Sequence, residues 1–284
     1  MISFSNTSAD LFIPDGSEEN EAFNRTTHMG IGAHQDDLEV MALHGILSCY
    51  QSKEQWFGGV TVTNGAGSSR ANQYNNYTDE QMRAVRANEQ RKASVVGEYS
   101  FMTQLDYPSS VVKEAGNGKY AKDLKTIFSK AKPRVVYTHN LADKHDTHVA
   151  VVIPVIKALR AIPKEEQPEE VYGVEVWRDL NWLIDNEKVL LNLNDRPNLV
   201  RALISIFDSQ ITGGKRYDLA LEGRLRGNAT FFDSHSVDQT QMASYAMNLK
   251  PLLDDPTMDI AEFVDAFVKR FQTDVRSRIE SFIV

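Results

Sequence analysis

Gly30-Ile-Gly-Ala-His-Gln-Asp-Asp-Leu-Glu39 is the stretch on which the reading of the fold turns. Its first residues end an apolar run, residues 27–33, that reads as a short strand. Its last residues enter a segment with Leu38, Met41, Ala42, Gly45, Ile46 and Cys49 at helical spacing. A strand that turns directly into a helix is half of a βα unit, and His34, Asp36 and Asp37 sit in that turn. Strand ends in such units are rigid and open outward, so reactive groups collect there. The pair Gly30 and Gly32 also begins a dinucleotide-binding fingerprint. Gln35 stands where its third glycine belongs, however, and two acidic residues follow where a pyrophosphate needs amides and positive potential, which argues against that ligand.

Outward from this turn the pattern repeats. Residues 59–63, Gly-Val-Thr-Val-Thr, read as a β-branched strand ending in the turn Asn64-Gly-Ala-Gly67. Thr78-Asp-Glu-Gln81 has the form of a capping box, opening a helix that Gly97 would close. Residues 101–113 carry no decisive pattern, and Lys119–Ala131 reads as a helix. Residues 133–139 form a strand that feeds a second polar knot, His139-Asn-Leu-Ala-Asp-Lys-His-Asp-Thr-His148. A helix follows to about Ala161, with Pro154 expected to kink it or shift its start. Further strands are expected at 171–177 and 189–193, one helix at 197–210, and a loop with a short helix over the glycine-rich residues 212–228. Asp259-Ile-Ala-Glu262 caps a final helix to about Phe282, whose apolar stripe reads as core or as the contact of a homo-oligomer. Strands alternating with helices predict an α/β fold, a Rossmann-like, mainly parallel sheet with helices on both faces. The expected organisation is an N-terminal arm, residues 1–25, lying over the surface of a single domain, residues 26–284.

Composition narrows the function. The chain has 284 residues, 42% hydrophobic and 25% charged, enough for a large core. A formal net charge of −8 with no Lys/Arg run gives no basic face for nucleic acid. Cys49 is the single cysteine, which removes intramolecular disulfides and cysteine-based zinc sites, and its place on an apolar stripe makes it a core residue. The first residues lack a basic segment followed by an apolar one, and no apolar run approaches about 18 residues, so neither signal peptide nor membrane span is expected. A cytoplasmic protein is the default.

The two knots suggest one metal site. Zinc takes imidazole and carboxylate ligands, and His34, Asp37 and His148 would supply two histidines and an aspartate. Iron would suit the same set. Asp36, left over beside the metal, is placed to act as general base, and His145 to steady an oxyanion or protonate a leaving amine. The plainer alternatives stay open here. Paired aspartates at a helix start also act as a cap and a dipole partner, worth about 0.3–1 kcal/mol each, and His139, His145 and His148 can be surface histidines.

Ala33-His-Gln-Asp-Asp-Leu-Glu39 resembles the AHPDDxE signature of the PIG-L/LmbE-like family of zinc-dependent N-deacetylases, and residues 138–148 resemble that family's second motif, TH…D.HPDH. Thr63-Asn-Gly-Ala-Gly67, Arg86-Ala-Asn-Glu89, Asp208-Ser-Gln210 and the segment from Arg224 to Phe231 follow in family order, so the likeness spans roughly residues 28–235. It implies zinc ligands His34, Asp37 and His148, the base Asp36, an oxyanion-side His145, and Arg86 as a substrate contact. Glu89 offers Arg86 an ion pair as the alternative. Three departures stand out. Gln35 replaces the family proline. Thr147 replaces the aspartate that orients the catalytic histidine, a role left to Asp143 or Asp146. Asp106 lies near, but displaced from, the aspartate that grips sugar hydroxyls. The resemblance therefore implies metal-dependent removal of an acetyl group from an N-acetylglucosamine-type small-molecule conjugate. The competing expectation is a non-catalytic sugar- or metabolite-binding relative with a weakened second motif. A metal-assisted phosphoesterase would need two metals and more ligands than the sequence offers.

Overall fold

The computed structural model describes residues 2–114, 116 and 119–283. Its strands are β1 Asp10–Phe12, β2 His28–Gly32, β3 Phe57–Thr63, β4 Phe101–Tyr107, β5 Val135–His139, β6 Glu170–Val174, β7 Val189–Asn192 and β8 Ala243–Asn248. All join one sheet in the order β1-β4-β3-β2-β5-β6-β8-β7. The stretch from β4 to β6 is parallel, whereas β1, β8 and β7 pair antiparallel with their neighbours. The expected Rossmann-like sheet is present. Strand order reverses between β2 and β5, so the crevice at their carboxyl ends is the topological switch point. Both polar knots leave the sheet there.

The helices are α1 Glu19–Asn24, α2 Asp37–Met41, α3 Leu43–Cys49, α4 Asp79–Val96, α5 Ser109–Val112, α6 Lys119–Ala131, α7 Asp146–Arg160, α8 Pro197–Ile204, α9 Asp208–Ile211, α10 Tyr217–Phe231, α11 Pro251–Asp254 and α12 Ile260–Glu280. Alternation along the strands divides the core in two. Met29, Ile31, Val60, Val62 and Val136 face the side covered by α1, α6 and α7. Phe57, Met102, Val135 and Tyr137 face the side of α2, α3, α8 and α10. Gly30 falls on the second face, where a Cβ would lie 2.9 Å from both Leu38 Cδ2 and Phe57 Cζ. A side chain there would push α2 off the sheet, so this glycine sets how closely the first polar turn approaches β2.

Several elements differ from expectation. Residues 1–25 are more than a surface arm: β1 extends the sheet beside β4, and Ala22 and Phe23 of α1 are fully buried in the core. The helix expected over 38–49 divides at Ala42 (φ −103°, ψ 14°) into α2 and α3. The helix at 197–210 also divides, into α8 and α9, and residues 212–228 hold most of the fifteen-residue α10. Helix α7 runs through Pro154 without interruption. The Thr78–Gln81 capping box forms in both directions, and Gly97 ends α4 in a right-handed conformation, with the left-handed residue being Glu98 (φ 53°). Asp259 caps α12 through Ala261 N and Glu262 N. Phe263 and Phe267 of α12 pack against the core, while Val268, Phe271, Val275 and Ile279 stay exposed. Among the described residues no helix is long and apolar enough to cross a membrane.

Candidate metal and hydrolytic centre

Parallel pairing of β2 with β5, Ile31 opposite Thr138, brings the two knots together. His34 and Asp37 leave the β2 end; His139 ends β5, and His145 and His148 begin α7. One ligand atom from each of His34, Asp37 and His148 lies within 4.8 Å of the others. Asp37 is the hub. Its Oδ2 accepts the His34 backbone N–H at 2.6 Å and lies 3.3 Å from His34 Nδ1 and from His139 Nε2, and its Oδ1 lies 3.5 Å from His148 Nε2. Burial works to raise Asp37, but His148 and His139 outweigh it and hold the carboxyl well below its usual range.

His148 is fully buried and anchored from behind. Its Nδ1 meets Asp143 Oδ2 at 3.1 Å, whereas its Nε2, facing Asp37, has no hydrogen-bond partner. A buried imidazole nitrogen without a partner is unfavourable unless something binds it. The carboxylate behind it fixes the tautomer that leaves Nε2 free to coordinate. Burial also holds His148 down to about 4, so the ring is neutral, as a ligand must be. Two imidazoles and a carboxylate around an orphaned nitrogen fit zinc or a similar divalent ion.

Asp143 accepts the backbone N–H groups of His145, at 3.1 Å, and Arg178 on its other oxygen, Oδ1, while Oδ2 accepts that of Trp177 as well as meeting His148. It therefore orients His148, and not the His145 ring as the sequence suggested. The buried Nδ1 of His145 has no partner. That ring is placed by packing, stacked on His148 with centroids 4.5 Å apart and edge-on to His34 at 5.1 Å. His139 is also buried rather than on the surface. Its Nε2 accepts the Ala33 N–H at 2.9 Å, fixing the backbone just before His34, and its ring stacks on His148 at 3.8 Å.

Asp36 is held in a left-handed conformation, φ 87°, that a non-glycine residue adopts only when its surroundings impose it. Gln90 Oε1 accepts its backbone N–H at 3.1 Å. Gln90 is oriented in turn by donating to Glu39 Oε1, which also accepts from the Tyr99 hydroxyl. Gln35, in the place of the family proline, ties the turn to the sheet by donating to Thr63 O and Gln104 Oε1. Gly65 (φ 68°) leaves room for it, since a Cβ there would lie 2.5 Å from Gln35 Oε1. Burial pushes Asp36 up to about 6; Arg86 opposes this and Asp37 adds to it. Glu39, which carried no expected role, is likewise pushed up to about 7 by burial.

The residues expected to touch substrate are engaged with protein. Arg86 is 1% exposed, and its guanidinium donates to Gln35 O and to Ser209 Oγ, 3.3 Å from Asp36 Oδ2 and 3.7 Å from Glu89 Oε2. Asp106 (φ 61°) is paired with Arg83 through both carboxylate oxygens. A cavity of about 150 Å³ opens directly beside Asp36 and Asp37. Val40, Val176, Trp177, Tyr217, Leu221 and Arg224 wall it, and the sequence pointed to none of them as site residues.

The family model described as PIG-L, GlcNAc-PI de-N-acetylase, matches residues 29–159, which include both knots. No curated protein sequence matches the chain. The fold is similar to that of N,N'-diacetylchitobiose deacetylase from Pyrococcus horikoshii, with a TM-score of 0.64 and 13% identity over 88% of this chain and 93% of that one. It is also similar to the A40926 pseudoaglycone deacetylase Dbv21, with a TM-score of 0.56 and 12% identity over 79% and 97%. GalB, the 4-carboxy-2-hydroxymuconate hydratase from Pseudomonas putida KT2440, shares it as well, with a TM-score of 0.58 and 14% identity over 79% and 96%. A hydratase on this scaffold shows that the fold alone does not name the reaction. The matched sequence and the shared sheet agree with the likeness drawn from the two motifs: residues 29–159 match the PIG-L family model, and the chain shares the α/β fold of these structures.

Proposed function

We propose that the protein hydrolyses an amide on an N-acetylglucosamine-type conjugate, releasing acetate and a free amine, with a divalent metal held by His34, Asp37 and His148. The observation that carries the reading is the orphaned Nε2 of His148, anchored through Asp143 and facing Asp37 beside Asp36. The PIG-L match over residues 29–159 and the fold shared with two deacetylases support the choice of amide hydrolysis. When bound, the ion supplies Lewis acidity, polarising the amide carbonyl and making water acidic enough to attack near neutral pH. Zinc suits the donor set, and iron would too.

Asp36 is the general base. Its carboxylate, buried and poised by Arg86 and Asp37, takes the proton of the attacking water. Arg86 has no exposed surface with which to grip a sugar, so its part is to hold Asp36 and the Gln35 carbonyl. His145 lies between His34, His148 and Trp177, where it would protonate the departing nitrogen as the carbon–nitrogen bond breaks. The acyl product sheds its proton to become a carboxylate; of that proton and the one held on Asp36, one returns to His145 and the other leaves with the amine, as its ammonium form, or to solvent.

A second reading rests on His145. With Thr147 in the motif and Nδ1 unpartnered, no carboxylate among the described residues hydrogen-bonds its ring, and Asp37 and Asp143 act on it only through space, as a non-catalytic sugar-binding relative would allow. A fluorescamine assay for new amines over a panel of N-acetylated amino sugars, with zinc or ferrous ion added, separates the two. Amine release by the wild type supports the hydrolase. Tight ligand binding with no release from any member would replace it with the binding protein.

A further inference from the structure

The cavity beside Asp36 and Asp37 has a character of its own. Helix α10 presents Tyr217, Leu221 and Arg224 to it from successive turns, and the chain just beyond β6 contributes Val176 and Trp177. A volume of about 150 Å³ is that of a single six-membered ring. Trp177 and Tyr217 meet edge to face with centroids 6.0 Å apart, and Lys215 Nζ lies 4.3 Å from the centre of the Trp177 ring. The aromatic wall is therefore held in place rather than free to swing.

Arg224 is the one cation lining this cavity among the described residues, and it makes no ion pair within 4 Å among them. One guanidinium nitrogen donates to Val176 O, which fixes the head group against the wall. Glu175, a carboxylate that feels its charge, is 1% exposed and already accepts from Tyr245 N, Leu180 N and Asn228 Nδ2. A guanidinium without a carboxylate partner, at the edge of an apolar slot and beside two aspartates, suits an anionic ligand group.

Resting on the deacetylase reading above, we propose that this cavity holds the ring next to the scissile amide and that Arg224 recognises an anionic substituent on that ring, a phosphate or a carboxylate. Trp177 and Tyr217 flank the ring, and the remaining guanidinium N–H groups form the charged contact. Asp36 and Asp37 repel an anion placed at the reacting end, so the substituent is directed to Arg224 and the amide to the metal ligands.

The test compares N-acetylglucosamine, N-acetylglucosamine 6-phosphate and N-acetylmuramic acid as substrates. It also measures calorimetric binding of the corresponding free amines. The wild type is expected to favour at least one anionic member over the neutral sugar by about tenfold or more, in kcat/KM and in binding. Which anion is favoured tells phosphate from carboxylate. In Arg224→Gln that preference falls to about one, through KM, and Arg224→Lys restores part of it. Trp177→Leu weakens neutral and anionic members alike and leaves their ratio in place. An anionic preference unchanged in Arg224→Gln, or a wild type that favours the neutral sugar in both assays, overturns the proposal. The binding arm needs no turnover. Silence in the amine assay with anion-selective binding lost in Arg224→Gln would therefore sink the hydrolase reading and keep this one.

Discussion

Asp143→Asn separates a metal site from a cluster of buried polar groups. Asp143 and His148 are both fully buried at the side chain, and among the described residues their contact at 3.1 Å is the only hydrogen bond that fixes the His148 ring. Asparagine keeps one oxygen for the backbone N–H groups of His145 and Arg178, and loses the acceptor that Trp177 N–H shares with His148. Its amide nitrogen cannot accept from His148 Nδ1, and the ring loses a charge-assisted bond worth about 1.5–3 kcal/mol. Outer partners of this kind change metal affinity by about 10- to 100-fold, which is the same energy on the affinity scale. With metal at about 100 times the wild-type Kd, binding should stabilise the wild type by about 2.7 kcal/mol over its metal-free form, and the variant by only about 0.4–1.4 kcal/mol. Chelator competition gives the affinities directly, and urea melts with and without metal give the increments. Wild-type affinity in Asp143→Asn would refute the reasoning, because the orphaned Nε2 would then owe nothing to the carboxylate behind it. His148→Ala, run in parallel, should remove metal binding altogether.

Other expectations follow from the same geometry. Asp36→Asn should lower kcat by about 10²- to 10⁴-fold while the protein keeps its metal; full turnover on any substrate the wild type cleaves would dismiss Asp36 as the base. His28, buried and lowered to about 4 chiefly by desolvation with His44 and Arg134 adding, is neutral in the fold but takes a proton at about 6.5 when unfolded. Its contribution is thus present above pH 6.5 and lost as the pH falls toward 4, about 2 kcal/mol between pH 7 and 4.5. His28→Gln should flatten the acid limb of urea-melt stability by that amount, and an unchanged limb would count against the assignment. Gly30→Ala puts a methyl 2.9 Å from Leu38 Cδ2 and Phe57 Cζ. It should destabilise the protein by about 1–3 kcal/mol, and a thermal melt identical to wild type would mean that α2 moves freely on the sheet.

The parts of the molecule that sequence disclosed are those set by local pattern. An apolar run leading into His34, and a Val-rich run ending at His139, are enough to place two knots at strand ends, and parallel order brings those ends together. What escaped was decided by partners distant in sequence. Strand β8 reads Ala-Ser-Tyr-Ala-Met-Asn, without the alternation of a half-exposed strand, because five of its six residues are buried between β6 and β7. Helix α10 carries Gly223 and Gly227 and reads as a loop, yet Leu221, Leu225 and Ala229 are buried and hold it against the core. Residues 1–25 look polar, but an edge strand needs little apolar surface, and Phe23 alone stacks on Phe101 with centroids 4.3 Å apart.

The same division runs through the site. The candidate ligands lie within two short motifs, whereas the walls of the cavity come from Val40, Val176, Trp177 and the Tyr217–Arg224 stretch of α10, which have no relation in sequence until the chain folds. Asp143 marks the boundary between the two. Its place in the second motif was visible, and the hydroxyl at Thr147 made it a natural candidate to steady His145. Only the path of the loop shows that both of its oxygens are already engaged, one with His148 and the Trp177 N–H and one with the N–H groups of His145 and Arg178. His145 is consequently positioned by ring stacking and not by a carboxylate's hydrogen bond, so the proposed hydrolysis requires packing to present the proton donor to the leaving amine. Installing a carboxylate at Thr147, buried to 2% exposure, would add its desolvation to the fold before it could help that ring. This gives a physical reason why a hydroxyl can stand where the family places an acid.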